Sequence, residues 1–73
     1  MIADRNLREA LLAAADYADV RVVGWRTVDA HLFVTVACER GMRTHTIRLD
    51  DAMRQRRLAK MMMRRFCDWT TPE

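Results

Sequence analysis

A chain of 73 residues, 51% hydrophobic and 32% charged, makes one small globular domain and leaves no length for a second. It contains no serine, which excludes every serine-nucleophile mechanism. The net charge of +3 is local: residues 54–65 carry six cations and no acid, whereas residues 4–51 hold seven arginines against eight acids.

Residues 4–18 are expected to form the first helix. Leu7, Ala10, Leu11, Ala14 and Ala18 recur at spacings of three and four, with Arg5, Arg8, Glu9 and Asp16 opposite. Asp4 serves as N-cap or as an acid in the first turn, where the helix dipole favours it. The apolar stripe is mostly alanine, so a neighbour can lie close against it.

From Val20 to Leu49 the apolar spacing falls to two, which predicts strands. Leu32, Val34, Val36 and Cys38 alternate with Phe33, Thr35, Ala37 and Glu39. A two-residue loop at Arg40-Gly41, with glycine supplying positive φ, pairs Glu39 with Met42. It sets Val36 beside His45, Val34 beside Ile47, Leu32 beside Leu49 and His31 opposite Asp50. An earlier strand, Val20 to Val28, turns at Asp29-Ala30. That turn puts Val23, Trp25 and Thr27 on the buried face, with Gly24 and Arg26 beside Thr35 and Phe33. Val20 and Val22 then face the wrong way, and one residue of slip inverts every assignment.

Asp50 and Asp51 are expected to open the second helix as cap and dipole partner. Ala52, Leu58, Ala59, Met62, Met63, Phe66 and Trp69 cover one arc of its wheel, and Arg54, Arg57, Lys60, Arg64 and Arg65 the other. The expected fold is therefore α+β: a single two-layer domain over residues 1–69 in the order α-β-β-β-α. Its three-stranded antiparallel sheet carries both helices on one face. Residues 70–73, with Pro72, form a polar tail that frays.

Two surfaces are candidates for contact. On the second helix, Arg54, Arg57, Lys60, Arg64 and Arg65 form a cationic stripe, and Met53 and Met61 fall inside it, away from the core arc. Thioethers among arginines suit a surface that meets another macromolecule. The bland account is that a helix with three consecutive methionines spills one onto its surface, and a GC-rich genome alone would favour arginine over lysine. On the sheet face away from the helices, Phe33 is expected between Arg26 and Arg48, with Thr35 and Thr46 paired beside them. An aromatic flanked by guanidinium groups can stack a base. It can equally be a cation–π cluster that covers the ring, or the seat of a second copy of the chain.

Other chemistry finds no support. His31 and His45 lack further ligands at metal spacing, and no nucleophile accompanies a His–Asp pair. Two isolated glycines make no phosphate loop. Cys38 and Cys67 sit at neither metal nor redox spacing and read as buried thiols. Neither a catalytic residue nor a cofactor is expected. With no basic stretch leading an apolar run, and no run near the roughly 18 residues of a membrane span, the chain reads as cytoplasmic, with no membrane partner.

The α-β-β-β-α order ending in a basic helix resembles that of the double-stranded-RNA-binding domains. In that family a glycine-containing loop and a lysine cluster open the last helix and grip phosphates. Here Asp50 and Asp51 stand at that point and the cations run from Arg54 to Arg65, so the resemblance extends to element order only. In size and in alanine and arginine usage the chain also resembles small proteins of bacteriophages and mobile elements, anti-CRISPR inhibitors among them.

The first functional reading is a non-catalytic binding module that presents the second helix to nucleic acid or a nucleoprotein complex. The alternative is an inhibitor or adaptor that docks on an acidic host-protein surface, with Met61, Phe33 or Leu12 as apolar anchors. A homodimer with a structural role is a third.

Overall fold

The computed structural model describes residues 3–50 and 53–71. Helix α1 spans Asp4–Ala18, strands β1, β2 and β3 span Arg21–Val28, His31–Cys38 and Gly41–Arg48, and helix α2 spans Gln55–Thr70. The strands form one antiparallel sheet in the order β1-β2-β3. Both helices cover the same face, α1 packing chiefly on α2 and more lightly on β1. They run parallel: Gln55, at the start of α2, donates to Glu9 of α1, while Ala18 and Thr70 line one hollow at the other end.

The alanine stripe explains the close helix pair. Ala10, Ala14 and Ala15 are buried between Leu7 and Leu11 of α1 and Leu58, Ala59, Met62 and Phe66 of α2. Leu32, Val34, Val36 and Ile47 close the core from the sheet. Ala3, without a side-chain hydrogen bond, occupies the N-cap of α1, so Asp4 acts as the first-turn acid. At the other end Asp19 takes a left-handed conformation (φ 57°), and the Val20 amide reaches back to the Ala15 carbonyl at 2.9 Å, a Schellman-type stop.

The sheet departs from the expected register at two points. The β2–β3 loop is Glu39-Arg40, and Gly41 opens β3 with φ +112°. Glycine's positive φ is spent on the residue after the loop, not within it. Every β2–β3 partner therefore moves by two residues: Val36 pairs with Arg43, Val34 with His45, Leu32 with Ile47 and His31 with Arg48. A shift of two preserves the faces, so His45 and Ile47 remain buried. In β1 the ladder slips between Val22 and Gly24. The bulge at Val23 turns that side chain out, half exposed, and brings Val22 and Trp25 together on the core side. Thr27 shares their face but stays exposed.

Helix α2 begins later than the paired aspartates suggest. Its N-cap is Arg54, without a side-chain cap; Asp50 is exposed and accepts the Met53 amide through its backbone carbonyl at 2.9 Å. The expected roles of Asp51 and Ala52 lie outside the described residues. At its far end α2 includes Thr70, and Thr71 closes it through its amide and hydroxyl, both to the Cys67 carbonyl. Arg40, at the tip of the β2–β3 loop, donates through Nη1 to the carbonyls of Trp69 (2.6 Å) and Thr71 (3.2 Å), placing a cation at the negative end of the helix. Cys38 and Cys67 are free and only half-buried.

Candidate functional site

The amphipathic pattern of α2 sets its two faces. Leu58, Ala59, Met62 and Phe66 turn inward, and Arg54, Arg57, Lys60, Arg64 and Arg65 are exposed. None of these five cations lies within ion-pair distance of a carboxylate among the described residues, where Arg5–Glu9 of α1, at 3.6 Å, is the one pair found. Met53 and Met61 differ from expectation. Both are half-buried and pack against the core, so they form the floor between the cations and do not project among them.

Two hollows follow this face and share Arg57 and Met61. One of about 370 Å³ is lined by Arg57, Lys60, Met61, Arg64 and Arg65. The other, about 400 Å³, lies toward the β1–β2 turn, where Ala30, Arg48, Leu49, Asp50 and Met53 join them. Arg48 thus belongs beside α2 as well as on the sheet. Among the described residues Asp50 is the one acid along either wall.

The β3 edge extends the same charge. His45 sits beneath it, with its ring edge-on to Phe66 (centroids 5.2 Å apart) and Trp69 (5.8 Å). Its Nε2 is buried without a hydrogen-bond partner. Burial, and then the nearby charges of Arg43 and Arg65, hold its pKa below the ordinary histidine value. Arg43, two residues before His45 on the same face of β3, thus shares its neighbourhood with Arg65 of α2. His45 is a core residue, and His31 is exposed opposite Arg48, not Asp50. Among the described residues no cluster of His, Cys, Asp or Glu could hold a metal ion, and no helix is long and apolar enough to cross a membrane.

On the outer sheet face, Arg26 pairs with Phe33, its guanidinium carbon 5.7 Å from the ring centroid. Opposite Phe33 on the other side stands Thr46, and Arg48 is displaced one row down, beside His31. The threonine pair is Thr35–Thr44, with hydroxyls 2.8 Å apart, not Thr35–Thr46. Both differences follow from the two-residue shift of β3.

Comparison with protein-family models, curated proteins and solved structures returns no significant match.

Proposed function

We propose that α2 presents its cationic face to the phosphate backbone of a nucleic acid, free or within a nucleoprotein complex, and that the protein is a small non-catalytic binding module. The observation that supports this most is the set of exposed α2 cations that meet no carboxylate of the described chain. Arginine surfaces with internal ion pairs are already satisfied; these are not.

Geometry supports the same reading. Arg57, Lys60 and Arg64 recur at spacings of three and four along one face, so they span roughly 10 Å of helix axis at 1.5 Å per residue. That length covers about three base pairs at 3.4 Å each. Forked guanidinium groups match phosphate oxygens, and contacts of this kind fix position without reading sequence. The half-buried Met53 and Met61 keep the floor of the hollows apolar, which lowers the local dielectric around a bound phosphate.

A gel shift with random-sequence duplex DNA and RNA at low salt tests the proposal. A shift is expected for the unaltered protein, with loss on combining Arg57→Glu and Arg64→Glu while circular dichroism and melting temperature hold. No shift with any nucleic acid at low salt would refute it. An acidic protein surface, met by Leu12, Phe33 or Met61 as anchors, would then be the reading to pursue.

A further inference from the structure

Among the described residues, the strand positions of the sheet face opposite the helices include no acid; Asp19 lies at its edge, lining a hollow with Arg21 and Ala37. The rows of this face, read from the pairing, are Val28–His31–Arg48, Arg26–Phe33–Thr46, Gly24–Thr35–Thr44 and Arg21–Ala37–Met42. Arg26 thus stands beside a central aromatic on the middle strand, with Arg48 one row away from Phe33 and Arg21 two rows away on the other side. Beside Phe33 lies an open hollow of about 340 Å³, bordered by Gly24, Arg26, Thr35 and Thr44. Gly24 has no conformational reason to be glycine: its φ is not in the left-handed region, and a Cβ there would meet nothing within 4 Å. Its effect is to leave space next to the ring.

We infer that this face binds single-stranded nucleic acid, with Phe33 stacking one base and Arg26 holding an adjacent phosphate. Three features select this occupant. Arginines on strand positions that hold no acid complement a polyanion. A second copy is disfavoured, because a two-fold contact would set one arginine-bearing face against another with no acid at the strand positions of either to offset the repulsion. A duplex is disfavoured as well, because its bases are stacked on one another and only an unstacked base can reach Phe33. The Thr35–Thr44 pair uses one hydroxyl hydrogen between the two oxygens, which leaves the other free to donate to a base edge or phosphate. This inference goes beyond the α2 reading and does not depend on it, since Phe33 and the hollow beside it lie on the sheet face away from α2, although Arg48 borders both surfaces.

The experiment is fluorescence anisotropy with a labelled single-stranded DNA of roughly twelve nucleotides, a length within the handful to sixteen typical of such grooves, and an abasic strand of equal length. The two strands carry the same phosphates, so their affinity ratio reports stacking alone. The intact strand is expected to bind roughly 5- to 100-fold tighter. Phe33→Leu, which keeps apolar bulk, and Gly24→Leu, which puts a side chain into the hollow from a position whose Cβ meets nothing within 4 Å, should each bring the ratio close to unity. Combining Arg57→Ala with Arg64→Ala should leave the ratio unchanged even if it weakens both strands, so failure here and failure at α2 read differently. Equal affinity for the two strands, a ratio indifferent to Phe33→Leu, or a dimer that dissociates on Phe33→Leu would each overturn the inference.

Discussion

His45 places an imidazole where a purely apolar residue would fit, between the edges of Phe66 and Trp69. Its unpartnered Nε2 makes the site costly by about 1–3 kcal/mol, and the charges of Arg43 and Arg65 oppose protonation further. The folded pKa therefore lies below the unfolded value of 6.5, and the unfolded chain takes up the proton first. Stability is accordingly full above that value. It falls as pH drops below it, and levels off beneath the folded pKa. Denaturant melts between pH 7.5 and 5 should show this loss, at most about 1.4 kcal/mol per pH unit, and His45→Leu should remove it. An equal slope in the variant would place the pH sensitivity elsewhere. At this scale the sequence is legible in part: alternation along β3 puts His45 on the buried face, but its neighbours are set by packing between elements. Arg43 and Arg65 are 22 positions apart in the chain, and no local pattern links them.

At the scale of elements, the strands, their faces and both helices can be read from apolar spacing, because a period of two and a period of 3.6 are distinct signals. Register is harder. Gly41 marks the β2–β3 turn, yet a glycine serves equally inside a two-residue loop or just after it, and the faces are the same in both cases. Only the pairing decides, and it moves Arg48 away from Phe33. The bulge at Val23 resolves the conflict between Val22 and Trp25 that alternation alone leaves standing. The start of α2 misleads because Asp50 resembles a cap, while the backbone turns there first and enters the helix at Gln55. Arg40 joins two elements across 29 residues through its bond to the Trp69 carbonyl. Arg40→Ala should cost about 1 kcal/mol, the usual scale for a cation at a helix C-terminus, and hydrogen exchange should quicken in the last turn of α2 before the sheet is affected. Uniform exchange across the domain would show that the bond holds nothing in particular.

For the molecule as a whole, charge is sorted by surface more sharply than composition suggests. Acids lie mainly along α1 and in the turns, with Asp68 near the end of α2, cations cluster on α2, and the strand positions of the outer sheet face that carry full charge are arginines. A domain of this size is stable by only about 4–11 kcal/mol, so repulsion among unpaired cations is a real cost of keeping the α2 surface open. The salt dependence of duplex-DNA affinity tests that account most directly. Three to five phosphates neutralised by α2 predict a slope of log K against log salt between about −2.7 and −4.5. Arg57→Ala with Arg64→Ala should flatten it by about 1.8. A slope near zero, or one that the double variant leaves untouched, would contradict the assignment of α2 as the phosphate-binding surface.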